Sequence, residues 1–538
     1  MCTASRWRTV FWCTFALFTL IKLWLAATLS PFGDEAFYWQ ESRHLAWSYS
    51  DVPPLTAWLI AVGEAIFGHS PLAMRAPFLL IGACVPLLAV RFASQLFDER
   101  AGWQAGLWIV LMPLTGTLGV LALPDVPLTL ATLLALVALE RCARNGSMRD
   151  WIALGAALAF AWLAHYRAAM LMLTGLVFLL GTARGRTLSS HPGLWLALAI
   201  AALGVVPLVL FNAQHGWDAL GFQMIDRHPW AFHADALLQP IEQAITVTPL
   251  LYLAMLVTLA ACVRRAGGGA PWDVLAVAGL VPMLGYFVIG LFADAERFRV
   301  HWPLPAYLAL AVALPAISRD WAASSLRNGR SIAVLLTAAA ALALCAILIV
   351  FGYLAATTHV PSTTMLARYK MFPDNFVGWR ESGHSVRELL ANDPERRIEL
   401  VADNFMLAAQ LDFALDGTRT VYSLDSPLNA KHGRAAQLAL WSRDERALRS
   451  AGERRVLLVV EETGLRERAR VEWLQSLCTK IGDMQPVRRL DLFGGRKRMA
   501  FYDGVALSMT EGRAPCDYPP QAPFMGLPGQ PIGAGGTQ

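Results

Sequence analysis

The sequence predicts an α-helical polytopic membrane protein that carries a C-terminal soluble α/β domain. Three observations carry this prediction: the composition, a series of apolar runs long enough to cross a bilayer, and a change of composition near residue 355. Of 538 residues, 56% are hydrophobic and 16% charged, where soluble proteins average about 45 to 50% and about 25%. An ordinary soluble enzyme is thereby excluded. The net charge is only +5, and Lys and Arg sit in short clusters between apolar runs, so nucleic acid is not an expected partner. The eight cysteines include no CxxC pair and no Cys/His cluster at metal-ligand spacing, which leaves neither a disulfide scaffold nor a zinc site.

A helix needs about 20 apolar residues to span the hydrocarbon core. Eleven candidate segments follow: 10–29, 72–92, 102–121, 123–139, 151–163, 168–181, 194–211, 244–263, 272–292, 301–317 and 332–353. The fifth and sixth are short, and the polar triplet His165-Tyr166-Arg167 between them reads as a loop joining two helices. The first segment is too long for a signal-peptide core and no small-residue cleavage site follows it, so it is expected to stay as an anchor. Arg6 and Arg8 put the N-terminus in the cytoplasm. Alternating from there, Arg100, the Arg141, Arg144 and Arg149 group, Arg184 and Arg186, Arg264 and Arg265, and Arg319, Arg327 and Arg330 all fall inside, as the positive-inside rule requires. Segments 30–71, 212–243 and 293–300, the turn at Pro124-Asp125, the His165 triplet and the C-terminal region then share the opposite side.

From about residue 355 charges become frequent and apolar runs shorten to strand length at 397–402, 455–460 and 498–502, with helical patterns at 405–415 and 465–477. The expected organisation is a membrane domain over 1–354, an α/β domain over 355–513, and a Pro- and Gly-rich tail over 514–538 that is expected to be disordered. Cys478 and Cys516, the cysteines of this region, could pair in an oxidising compartment.

The strongest chemical feature is Gly33-Asp34-Glu35-Ala36-Phe37-Tyr38-Trp39, directly after the first segment, followed by Tyr49-Ser50-Asp51-Val52-Pro53-Pro54-Leu55. Two adjacent carboxylates at a membrane surface have a bland reading, a solvated helix start beside an interfacial aromatic belt. The functional reading makes Asp34 a general base that removes a proton from an acceptor. Asp125 is a second candidate, because a charge within a membrane segment costs about 2.5 to 3.5 kcal/mol on insertion scales and usually serves a function. It could instead cap the helix that follows. Lys22, inside the first segment, is expected to snorkel.

These residues resemble a known family. Asp34-Glu35 through Tyr38-Trp39, Ser42-Arg43-His44-Leu45, Asp51-Val52-Pro53-Pro54-Leu55 and Trp58-Leu59-Ile60 look like the first external loop of bacterial membrane glycosyltransferases of the GT-C fold. The nearer branch includes protein O-mannosyltransferases, the aminoarabinose transferase of lipid A, and rhizobial galacturonate transferases of lipopolysaccharide. Leu123-Pro124-Asp125-Val126-Pro127-Leu128 is similar to that branch's Pro-Asp-Ala-Pro-Leu motif, and Asn212-Ala213-Gln214-His215-Gly216-Trp217 to its Asn-x-x-His-x-Trp segment. His301-Trp302-Pro303-Leu304-Pro305-Ala306-Tyr307-Leu308, Gly378-Trp379-Arg380-Glu381 and Ala402-Asp403-Asn404 extend the resemblance, in order, along almost the whole chain.

The resemblance implies an inverting-type transferase in a bacterial inner membrane. It would move a sugar from a polyprenyl-phosphate donor to an envelope acceptor on the periplasmic face, the acceptor being lipid A, lipopolysaccharide core or another glycan. Asp34 is carried over as the base, with Glu35 and Asp125 positioning the acceptor or sharing the proton. The leaving lipid phosphate needs cations or hydrogen-bond donors. Arg297, Arg299 and His301 at one external boundary and Arg167 at another are the phosphate-binding candidates, with Tyr38 a further substrate contact. Each Arg could also snorkel to headgroups. Relatives commonly have Ser-Lys-Tyr where this chain has Ala164-His165-Tyr166-Arg167, and the aminoarabinose branch has Lys-Pro where this chain has Val52-Pro53-Pro54. The donor-phosphate cation would then have moved to His165 or Arg167. No Walker motif and no GxGxxG after a strand is present, which agrees with a lipid-linked donor. Two acidic neighbours leave a divalent metal open. A protein O-mannosyltransferase, a polyprenyl-lipid flippase and a non-catalytic envelope scaffold are the competing readings.

Overall fold

The computed structural model describes residues 2–228, 230–293, 300–323, 326–369, 371–391, 393, 397–450, 452–464 and 467–509. Backbone contacts divide the chain into two units, Met1–Thr28 with Leu45–Leu354, and Leu29–His44 with Ala355–Gln538.

The first unit is helical throughout. Among the described residues seven helices are long and apolar enough to cross a membrane: Ala4–Thr28, Pro71–Leu96, Asp125–Asn145, Pro192–Gln214, Pro249–Gly268, Trp272–Gly290 and Gly329–Thr357. The other four expected segments correspond to helices Glu99–Leu111, Met148–Ala164, Ala168–Gly181 and Leu304–Ala323, so every apolar run became a helix but not every one a full span. Two runs are broken for identifiable reasons. The 102–121 run stops at Leu111, because Pro113 holds Met112 extended (ψ 124°). The 244–263 run is split at Thr248, which has φ +79° and precedes Pro249. The His165 triplet is a loop, with His165 extended at the end of one helix and Ala168 starting the next. Helix starts carry side-chain caps where the sequence supplies them: Ser70 accepts from the Ala73 N–H at 3.1 Å and Asp98 from the Ala101 N–H at 2.8 Å.

Buried charges of this bundle meet backbone carbonyls or opposite charges. Lys22 does not snorkel as expected: it is 6% exposed and its Nζ donates to the Leu118 carbonyl at 3.1 Å, satisfying the turn between two helices. At the Asn145 end of its helix, the buried Glu140 accepts from Arg144 at 3.2 Å and Arg184 at 2.7 Å, and Arg184 reaches Asp273 at 3.4 Å.

The second unit is built on a five-stranded mixed sheet, β1 (Glu399–Ala402), β2 (Val421–Ser423), β3 (Arg454–Glu461), β4 (Ile481–Leu492) and β5 (Lys497–Ala506), in the order β2-β1-β3-β5-β4. β1 runs parallel to β2 and β3, and β5 runs antiparallel to β3 and β4. The alternation of β3 sends Leu457 and Val459 to one core, with Leu400, Leu407, Val386 and Phe501, and Val456, Leu458 and Val460 to the other, with Leu448, Trp473 and Tyr502. Helix Gly33–Arg43 belongs to this unit and packs Ala36 and Phe37 against Phe405, Ala409 and Leu438. Cys478 is disulfide-bonded. Cys516 and the 514–538 tail lie outside the described residues.

Candidate active site

In the first unit Asp125 opens helix Asp125–Asn145, where its backbone carbonyl accepts from the Thr129 hydroxyl at 2.7 Å. Its carboxylate accepts a hydrogen bond from the Arg167 guanidinium. His301 Nε2 lies 3.6 Å from the same oxygen. His165 Nδ1 accepts the Arg167 backbone N–H at 3.1 Å, which fixes the loop carrying that arginine. Burial, with the Arg167 charge second, holds His165 well below its ordinary pKa, so the ring is neutral and suited to accept. Four residues picked from three separate stretches of sequence are thus brought together. Arg297 and Arg299 lie outside the described residues.

Asp125, Thr129, Arg167, His301, Leu304 and Pro305 line a small cleft. Thr132 and Pro305 of that cleft also line a cavity of about 360 Å3 whose wall is otherwise almost wholly apolar, including Leu136, Leu158, Leu171 and Val277. A cationic and polar head therefore adjoins an apolar chamber, which is the arrangement a lipid phosphate requires.

The second unit holds Asp34, Glu35 and Tyr38 on helix Gly33–Arg43. Glu35 is fully buried and accepts the Phe32 N–H at 2.8 Å, the carboxylate half of a capping box. Asp34 is 30% exposed and its Oδ1 accepts from Arg434 Nη2 at 3.2 Å. Phe37, Tyr38 and Trp39 are 0%, 6% and 0% exposed. They form core and do not form the interfacial belt that the sequence alone allowed. On the same helix Gln40 Nε2 donates to Asp412 at 2.8 Å, and Arg443 donates to that carboxylate at 2.5 Å.

Two of the motifs are structural in place. Asn212 is buried, donates to the Leu208 carbonyl at 2.9 Å and accepts the Leu220 N–H at 2.9 Å, so it turns the chain at a helix end. Gly378 has φ +86° before helix Trp379–Leu390, and Lys497 Nζ sits 3.4 Å over the Trp379 ring. Sequence reasoning missed Arg434 and Glu41. Their only trace is that Asp34, Phe37, Tyr38 and Glu41 are spaced i, i+3, i+4, i+7, which puts them on one helix face. Among the described residues no three His, Cys, Asp or Glu side chains are grouped as a metal ion would need.

Comparison with solved structures extends over both units. ArnT from Cupriavidus metallidurans, bound to undecaprenyl phosphate, matches with a TM-score of 0.65 and 16% identity, covering 92% of this chain and 98% of that one. The chain has the GT-C fold. A second GT-C structure, the oligosaccharyltransferase AglB from Archaeoglobus fulgidus in complex with an inhibitory peptide and a dolichol-phosphate, matches at 0.51 and 12% identity over 87% of this chain and 71% of that one. At the sequence level, residues 51–211 match the dolichyl-phosphate-mannose-protein mannosyltransferase family. That stretch contains Asp125, His165 and Arg167 and excludes Asp34 and His301. The lipid A galacturonosyltransferase RgtD of Rhizobium johnstonii is 25% identical over 312 residues, 55% of this chain. The match spans 62% of that relative's length.

Proposed function

We propose that this chain is a membrane glycosyltransferase that transfers a sugar from a polyprenyl-phosphate donor to lipid A or a neighbouring envelope glycan, on the periplasmic face of a bacterial inner membrane. The observation that carries the reading is the fold likeness to ArnT over 92% of the chain, and the galacturonosyltransferase relative supports a lipid A acceptor. The reaction forms a bond between an acceptor oxygen and the anomeric carbon. The bond from that carbon to the phosphate oxygen breaks, and the acceptor proton goes to a base. Asp34 is our base, on the resemblance of the Asp34-Glu35 loop and on its partial exposure beside a fixed cation. Arg167 and His301 meet the negative charge that grows on the departing phosphate, Arg167 through a planar fork. Asp125 acts as the anchor that orients Arg167 and His301, and the apolar cavity takes the isoprenoid chain next to the phosphate.

The test is reconstitution of the purified protein with a polyprenyl-phosphate sugar and lipid A, followed by mass spectrometry of the lipid A. A sugar mass gained supports the reading. Movement of the donor across the bilayer with no sugar transferred to any envelope fraction replaces the transferase with a flippase. A second reading rests on the family match at residues 51–211: a protein Ser or Thr as acceptor. It predicts that the sugar appears on envelope proteins and lipid A stays unchanged.

A further inference from the structure

We propose that Arg434 is a positioning residue for Asp34, a cation that the second unit builds into a closed socket to fix the orientation of that carboxylate. The proposal rests on the reading of Asp34 as the base. The socket is made by one face of helix Gly33–Arg43 together with Phe405. The Arg434 guanidinium carbon lies 4.3 Å from the Phe37 ring centroid, 5.0 Å from that of Tyr38 and 5.6 Å from that of Phe405. Its Nη2 donates to Asp34 at 3.2 Å and its Nη1 stands 3.6 Å from Glu41 Oε1. The side chain is 3% exposed and that of Glu41 is 0% exposed, while that of Asp34 is 30% exposed.

This division of exposure assigns the roles. Residues seven apart on one helix face are separated by a rise of about 10 Å along the axis, and the carboxylates of Asp34 and Glu41 converge on a planar fork that addresses one with each nitrogen. Glu41, with no exposure, holds the guanidinium from behind. The aromatic faces forbid it to tilt and add cation-π attraction. Asp34, the partner with open surface, is left with one oxygen committed to Arg434 and the other available. A base aimed in this way avoids losing transition-state geometry to carboxylate rotation, where a misplacement of about 1 Å costs roughly 100-fold. Arg434 itself is enclosed by the socket, so it is not placed to grip a phosphate. Its backbone is tied down by a bond from its N–H to the Asn429 carbonyl at 2.9 Å.

The experiment compares full-length wild type, Arg434→Lys, Arg434→Ala and Asp34→Asn in the transfer assay with a polyprenyl-phosphate sugar and lipid A. Lysine keeps the charge and loses the fork, so Arg434→Lys is expected to lower kcat by about 10- to 100-fold with the donor KM within about twofold, at an unchanged unfolding temperature. Millimolar methylguanidinium is expected to restore part of the kcat of Arg434→Ala, and urea at the same concentration to restore none. Wild-type kcat in Arg434→Lys, with Asp34→Asn inactive, overturns the positioning role and leaves the base assignment standing. Full activity in Asp34→Asn removes the base and the proposal with it. If Arg434→Ala does not fold, Arg434→Lys decides alone. A loss confined to unfolding temperature, with kcat intact, means that the socket is only structural and also overturns the proposal.

Discussion

Two aspartates of this chain are each held by an arginine, and the two pairs differ in what surrounds the arginine. Asp125 and Arg167 both line a cleft that adjoins an apolar cavity, with side-chain exposures of 25% and 12% and a histidine 3.6 Å away. Asp34 is 30% exposed, but its Arg434 is 3% exposed and covered by three aromatic rings. In the first pair the cation and the carboxylate both reach the cleft. In the second the cation is walled in and the carboxylate is what faces outward. On the function proposed above, the first pair offers a positive group to the donor phosphate and the second a negative one to the acceptor.

The largest effect that would break this comparison comes from Asp34→Asn. If the second pair presents a base, turnover should fall by roughly 100- to 10,000-fold while donor binding, followed by retention of labelled polyprenyl phosphate, stays near wild type. Equal turnover in variant and wild type would make the second pair structural.

The Asp125 pair predicts a different signature. Arg167→Ala should raise the donor KM by about 10- to 100-fold, a loss of about 1.4 to 2.8 kcal/mol, because the lipid phosphate loses a charge-assisted partner. Asp125→Asn should do less, since Arg167 and His301 remain and only their anchor weakens. A variant of Asp125 that abolishes turnover with donor binding intact would return that carboxylate to the proton-transfer role the sequence first suggested.

A third change addresses the cavity beside Arg167. Gly175 lines it, and a Cβ added there meets no atom within 4 Å. Gly175→Phe should therefore be free of a clash at its Cβ and raise the KM for a long-chain donor by about tenfold, a loss of about 1.4 kcal/mol, while a donor of two isoprene units is unaffected. Equal effects on long and short donors would place the lipid chain elsewhere.

What could be read in the sequence follows from the physics of each unit. In the first, lipid demands unbroken apolar runs, so every one of them marks a helix. What hydropathy could not supply was the break at Thr248-Pro249, although the proline was visible, and helix Leu55–Phe67, whose 13 residues fall short of a span. In the second, three strands were legible because they are buried runs. β2 has three residues and β4 pairs only with β5, carrying Pro486, Arg488 and Arg489 along an edge, so neither makes an apolar run. At the site, Asp125 and Arg167 are polar exceptions in an apolar stretch, 42 residues apart, and are conspicuous for that reason. Arg434 lies 400 residues from Asp34, in a domain where charges are common, and nothing local distinguishes it from its neighbours.

A last effect, on stability and not on turnover, concerns the second unit, and it sharpens the contrast with the paired aspartates. Asp403 lies between β1 and helix Phe405–Ala414, is 2% exposed and accepts from Asn404 Nδ2 at 2.8 Å. Burial, with the Glu461 charge second, pushes its pKa up to about 8, from an ordinary 3.8. Unlike Asp34 and Asp125 it has no ion-pair partner among the described residues. An acid whose folded pKa is raised destabilises the fold as pH climbs. Below about pH 4 it is protonated folded and unfolded alike; between about 4 and 8 only the unfolded form ionises, and the cost grows until the folded form ionises too. The amides of β1 and β3 in the detergent-solubilised full chain should therefore exchange faster at high pH than the intrinsic rate alone explains. Asp403→Asn should flatten that dependence, by an amount on the order of a few kcal/mol at the alkaline end. Wild type and Asp403→Asn losing protection in parallel would mean that the carboxylate is already ionised in the fold and is compensated there.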